Sequence, residues 1–211
     1  MQRGIFITFE GGEGCGKSSH IKSLAQYFES KSRQCVITRE PGGTPLSEKI
    51  RDLLLNAKEG AKMSPRAELL LFEASRAQHV DELILPALAE GKVVLCDRFA
   101  DSSSAYQGVA RKLGGDSVEW LNNFAVAGAI PDMTILLDIP AEEGIARANA
   151  RDNDNPDRMG AEKISFYQAV RESFLKIASQ NPNRFVVVDS SGEKEATFEK
   201  IINAVKEKFD V

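Results

Sequence analysis

Gly11-Gly12-Glu13-Gly14-Cys15-Gly16-Lys17-Ser18 is the stretch that decides the reading of this chain. It fits G-x-x-x-x-G-K-[ST], a glycine-rich loop that cradles phosphate. Before it, Ile5–Glu10 reads as a short buried strand, and after it Lys17–Ser30 reads as a helix. Glycines let backbone N–H groups turn inward around phosphate oxygens, and the helix start adds partial positive charge there. In this pattern Lys17 would reach the β- and γ-phosphates, and the Ser18 hydroxyl would face Mg2+. A glycine-rich strand-to-helix turn without a ligand is the plainer alternative. The agreement of strand, loop, lysine, serine and helix speaks against it.

Working outward, strand-like runs recur at 5–10, 34–39, 92–97, 133–138 and 184–189, with helical patterns between them. Val93-Val94-Leu95 and Thr134-Ile135-Leu136-Leu137 are continuous and apolar rather than alternating, as a parallel sheet covered on both faces requires. Alternating β and α segments predict a doubly wound α/β fold, in which ligands bind beyond the carboxyl ends of the strands. The runs end in Glu10, Arg39, Asp97, Asp138 and Asp189. Ser64-Pro65 signals the start of the longest helical region, which runs through Leu69, Phe72, Arg76 and Val80 towards Pro86. Pro86 is expected to kink or end it, and Gly91 to close it. Further helices are expected at 141–149, 165–179 and 195–209, with Asp152-Asn153-Asp154-Asn155-Pro156 as a breaker.

Bulk composition narrows the classes. The chain has 211 residues, 42% hydrophobic and 27% charged, which suits a packed core. A net charge of −4 gives no strongly basic footprint for a nucleic acid polymer. No apolar run reaches the roughly 18 residues of a membrane helix, and no signal-peptide layout is evident. Cys15, Cys35 and Cys96 are odd in number and widely spaced, and two histidines complete no zinc pattern. A reducing cytoplasm is the expected setting.

Four constellations could carry chemistry. Arg39-Glu40-Pro41-Gly42-Gly43-Thr44-Pro45 follows the second strand as a rigid loop, with Arg51 about one helical turn beyond. It is either a ligand loop or a strand-to-helix connection. Phe72 and Arg76, at i and i+4, share a helix face; a ring can stack on a base while a guanidinium donates to a base carbonyl. A core Phe beside a solvated Arg is the commoner use. Asp97-Arg98-Phe99, followed by Ser102, Ser103, Tyr106 and Gln107, places an acid that can hold Mg2+ through water beside an arginine that can clamp phosphate. A surface Asp–Arg pair is the alternative. Arg147, Arg151 and Arg158 flank a polar loop that reads as a mobile lid or as a solvated charged helix.

Taken together, these residues resemble thymidylate kinases of the bacterial type over nearly the whole chain. The carrying segments are Phe9 to Ser18, Arg39 to Thr44, Phe72-Glu73-Ala74-Ser75-Arg76, Asp97-Arg98-Phe99 and Ala105-Tyr106-Gln107-Gly108. The resemblance implies a single domain over 1–211 with the P-loop NTPase fold: a five-stranded parallel sheet, helices on both faces and a small lid at about 147–160. It implies ATP bound on Gly11, Gly12, Glu13, Gly14, Cys15, Gly16, Lys17 and Ser18, with Mg2+ near Ser18 and Asp97. It also implies dTMP held by Glu13, Arg39, Arg51, Phe72, Arg76, Arg98, Ser103, Tyr106 and Gln107. Glu13 would take the 3′-hydroxyl, Phe72 and Arg76 the thymine, Ser103 and Gln107 the base edge, and Tyr106 the sugar. Arg39, Arg51 and Arg98 would hold the acceptor phosphate. Lys17, Arg98 and the lid arginines Arg147, Arg151 and Arg158 would act in transfer. The family is dimeric, so a homodimer is implied.

Two positions depart from the family: Phe99 stands where tyrosine is usual, and Gly14 where eukaryotic relatives carry arginine. Another nucleoside monophosphate kinase is the nearest rival and a deoxynucleoside kinase the second. A GTP-driven switch would need an N/T-K-x-D motif, which is missing after the fourth strand.

Overall fold

The computed structural model describes residues 3–56, 62–152, 159 and 162–211. Among them, five strands form one parallel sheet: β1 (Ile5–Glu10), β2 (Cys35–Arg39), β3 (Val93–Asp97), β4 (Met133–Asp138) and β5 (Phe185–Asp189). Their spatial order is β2-β3-β1-β4-β5. In register, Phe9 pairs with Asp97, Arg39 with Asp97, and Glu10 with Leu136. The strand ends expected to carry chemistry therefore lie side by side along one edge of the sheet.

The helices are α1 (Lys17–Ser30), α2 (Pro45–Leu55), α3 (Pro65–His79), α4 (Leu85–Ala89), α5 (Ala100–Ser103), α6 (Gly115–Val126), α7 (Ala141–Asp152), α8 (Ile164–Gln180) and α9 (Lys194–Phe209). They cover both faces. Ile7, Phe9, Leu95 and Ile135 pack with Ile21, Leu24 and Phe28 of α1 and Ile201 and Val205 of α9. On the opposite face Phe6, Val94 and Cys96 pack with Ile84, Leu88, Phe99 and Val126. Alternate residues of β1 thus feed two cores, which is why its sequence shows no polar face. Thr44 and Ser64 cap α2 and α3 by accepting from the N–H of Ser47 and Ala67, each at 3.3 Å, with proline in the first turn of both helices.

The helix does not end at Pro86. The chain passes from α3 through a π-helical segment, Val80–Ile84, into α4, and Pro86 sits in the first turn of α4. The wider turn accommodates a residue without an N–H donor. Gly91 follows the last turn at φ 79°. A second π-helical segment, Ser104–Ala110, joins α5 to α6, a region for which the sequence pattern predicted no helix.

Candidate active site

The loop after β1 wraps the start of α1. Gly16 caps the helix at φ 91°, and the N–H groups of Ser19 and His20 both reach its carbonyl at 3.1 Å. The Lys17 ammonium lies inside the curve of the loop, donating to the carbonyls of Gly12 (2.8 Å) and Gly11 (3.2 Å). The Ser18 hydroxyl donates to Asp97 Oδ2 at 2.7 Å, bringing the loop and the end of β3 together. On the far side, a Cβ on Gly14 would collide with the Gly144 carbonyl, and one on Gly144 with the Glu13 carbonyl. The loop and α7 therefore touch backbone to backbone. That contact supplies a physical reason for glycine at position 14, where a larger side chain would push α7 away.

Arg98 follows β3 at φ 68°, a left-handed conformation uncommon for arginine. It donates to Glu13 Oε1 at 2.6 Å and to the Gly11 carbonyl at 3.0 Å, and its guanidinium lies 5.1 Å from the Tyr106 ring. Burial opposes the Arg98 charge, but Tyr106, Glu13 and Asp97 around it outweigh that effect and raise its pKa. The Tyr106 phenol is pushed up by burial. Glu10, fully buried, accepts the Phe99 N–H at 2.8 Å and the Ser102 hydroxyl at 2.6 Å, so it anchors the chain that follows Arg98. Burial, and next the Asp101 charge, push Glu10 from the usual 4.5 up to about 8.

Arg76 is 1% exposed. Its Nε donates to Glu40 Oε2 (2.8 Å), and its Nη1 to both Glu73 oxygens (2.7 Å), Ser103 (3.1 Å) and Asn122 (2.8 Å). Burial opposes this charge too, and the Glu40 and Glu73 carboxylates more than offset it. Glu40, which precedes a cis proline, is held on its other oxygen by His79 at 3.0 Å. Phe72, half-buried, lies one turn away on α3. Gln107 donates to Glu68 at 2.8 Å.

Several of these groups line one cleft of about 600 Å3. It brings together Glu13 to Ser18, Arg39, Arg51, Phe72, Arg76, Asp97, Arg98, Ser103, Tyr106, Gln107 and Arg147. Gly11 and Gly12 form the start of the loop. Arg39 pairs with Glu48 at 3.0 Å, and Arg51 donates to the Pro41 carbonyl at 2.8 Å. Arg147 is held by Glu143 (2.6 Å) and by the carbonyls of Ser190 (3.1 Å) and Ser191 (2.9 Å). The Arg151 side chain and Arg158 lie outside the described residues. Sequence reasoning assigned no role to Glu10, Glu40, Glu68 or Asn122. Glu10 is marked in the sequence only as a charged strand end, and Glu40 lies inside a quoted motif where it could have been singled out as an acid. Glu68 and Asn122 reach the site from separate helices, and local spacing carries no sign of that.

The family model for thymidylate kinase matches residues 9–201. A thymidylate kinase of Geobacter sulfurreducens is 50% identical over 198 residues, 92% of either chain. One of Geotalea daltonii is 47% identical over 207 residues, 96% of either chain. The crystal structure of thymidylate kinase from Ehrlichia chaffeensis superposes with a TM-score of 0.79 at 32% identity, covering 96% of this chain and 99% of that one.

Proposed function

The chain belongs to the thymidylate kinase family, and we propose that its cleft holds ATP and dTMP head to head and transfers the γ-phosphoryl group to give dTDP. The observation that carries this reading is the convergence of a phosphate loop, Arg98 and an aromatic–arginine pair, Phe72 with Arg76, on one cleft. In the transfer, an oxygen of the dTMP phosphate bonds to the γ-phosphorus while the bond from that phosphorus to the β,γ-bridging oxygen breaks, releasing ADP. The attacking oxygen is already ionised near neutral pH, its second pKa being about 6, so a strong general base is unnecessary.

Repulsion between the two anions is the obstacle. At ~4 Å and an effective dielectric of ~20, each like-charged unit pair costs about 4 kcal/mol. Lys17 offsets this on the donor side, and Arg98 with Arg39 and Arg51 on the acceptor side. We assign Arg147, Arg151 and Arg158, on a lid at about 147–160 of a single kinase domain, to the transferring group. Ser18 and Asp97 offer adjacent oxygen atoms of the kind Mg2+ prefers, and would hold that ion, partly through water. When bound, Mg2+ neutralises charge on the β- and γ-phosphates. Glu13 takes the sugar 3′-hydroxyl and Tyr106 packs on the deoxyribose. Phe72 stacks on thymine, and Arg76, Ser103 and Gln107 bind the base edge. Cys15, Cys35 and Cys96 are free thiols, which suits a reducing cytoplasm.

A panel of nucleoside monophosphates, with ATP and with GTP as donors and ADP or GDP release as the readout, tests the reading. The highest kcat/KM is expected for dTMP with ATP. Preference for a purine monophosphate, or for thymidine itself, would overturn it.

A further inference from the structure

We propose that Glu68 sets the base selectivity of this site by fixing which end of the Gln107 amide meets the substrate. The proposal rests on the assignment of Gln107 and Arg76 to the base edge made above. Glu68 itself is not among the residues lining the cleft, so it is a positioning residue.

Glu68 stands in the first turn of α3, 1% exposed. Its Oε1 accepts from Gln107 Nε2 at 2.8 Å and from Arg111 Nε at 3.2 Å, and its Oε2 accepts from Arg111 Nη2 at 3.3 Å. Arg111 is itself fixed from behind by Glu162 at 2.7 Å. An ionised carboxylate has only acceptors to offer. Gln107 must therefore turn its NH2 group towards Glu68; the reverse orientation would face one buried oxygen with another. The amide is planar, so Oε1 is the atom it can present to the cleft. The base edge meets an acceptor there.

Arg76 is locked in the complementary sense. Its Nε and Nη1 are engaged by Glu40, Glu73, Ser103 and Asn122, and among the described residues no hydrogen bond falls on Nη2. That nitrogen is a donor. An acceptor from Gln107 and a donor from Arg76, both on the lining of one cleft, match the N3–H and C4 carbonyl of thymine or uracil. Cytosine reverses both, with an acceptor at N3 and an amino donor at C4. It would set acceptor against acceptor and donor against donor.

The test is kcat/KM for dTMP and for dCMP in the wild type, in Glu68→Met and in the double exchange Glu68→Gln/Gln107→Glu. Methionine keeps the volume but releases the amide to rotate. The ratio of dTMP to dCMP efficiency is expected to fall about tenfold or more, the size of one to two hydrogen bonds used in base discrimination. The double exchange swaps amide and carboxylate and still presents an acceptor to the base, so the ratio should return to within about threefold of wild type. A structural role alone would lower both substrates together. An unchanged ratio in Glu68→Met, or a double variant as unselective as the single one, would overturn the proposal. Should Glu68→Met fail to fold in thermal melts, Glu68→Gln takes its place, since its amide can meet either end of Gln107 and the same fall in the ratio is expected. A wild type that does not prefer dTMP to dCMP would instead overturn the base-pocket assignment itself.

Discussion

A buried carboxyl at the end of β1 organises the chain after β3 without lining the cleft. Glu10 holds the Phe99 N–H and the Ser102 hydroxyl, and directly before those two anchors Arg98 takes its left-handed conformation. The sequence marks Glu10 as a strand end, but its role depends on residues 89 and 92 positions further on, which fold back only once β3 lies beside β1. Its titration is a residue-scale consequence. Unfolded, Glu10 releases its proton near 4.5; folded, it keeps it to about 8. Between those values the folded chain binds more protons, so this group's contribution to stability is full below 4.5 and is lost as pH rises towards about 8. Glu10→Gln keeps an oxygen for the Phe99 N–H and removes the titration. Denaturant melts should show the wild type losing a few kcal/mol relative to the variant between about pH 5 and pH 8. Parallel curves for the two proteins would contradict the assignment.

At the scale of elements, what the sequence disclosed and what it hid have distinct physical origins. The expected start and end of β1, α1 and β4 match the structure, and the bounds expected for β2, β3 and β5 lie within one residue of it. Those strands are apolar on both faces and bounded by charge, so local pattern suffices. The chain from Ala100 to Val126 was illegible because it opens on a polar run, Asp101-Ser102-Ser103-Ser104, whose side chains are claimed by distant partners. Asp101 pairs with Arg184, and Ser102 with Glu10. That the helix does not end at Pro86 has a related reason: a π-helical segment lies directly upstream and accommodates the missing donor. The contact between the phosphate loop and α7 was equally invisible, since two lone glycines do not announce that they meet. Gly144→Ala tests it. The added methyl group runs into the Glu13 carbonyl, a backbone atom with no rotamer to escape through. Urea unfolding should register a loss of about 1–3 kcal/mol, and kcat should fall as α7 withdraws Arg147 from the cleft. Wild-type stability in this variant would mean that loop and helix are not in register.

Across the whole molecule, the β2-β3-β1-β4-β5 order gathers Arg39, Asp97, Arg98 and Lys17 at one edge although their strands are far apart in sequence. Parallel α/β alternation could be read from the chain, and with it the edge on which a ligand would sit. Which side chains would be neutralised by which carboxylates could not, because ion pairs such as Arg76 with Glu40 join separate elements. The outer surface carries a further consequence. Leu70 of α3 is 55% exposed, and Trp120 and Phe124 of α6 are 67% and 74% exposed and stacked at 6.1 Å. Since α3 packs against α6, these apolar groups lie on neighbouring helices, and they suit the homodimer that the family resemblance implies. Light scattering should give twice the chain mass at micromolar concentration, and Trp120→Glu/Phe124→Glu should halve it. A monomeric wild type would remove the dimer from the account. The central claim, direct passage of a phosphoryl group between two nucleotides in one cleft, is tested by incubating the enzyme with γ-labelled ATP and dTMP and locating the label. The account predicts label in the β-phosphate of dTDP, in equal amount to the ADP formed; label in free phosphate with no dTDP would contradict it.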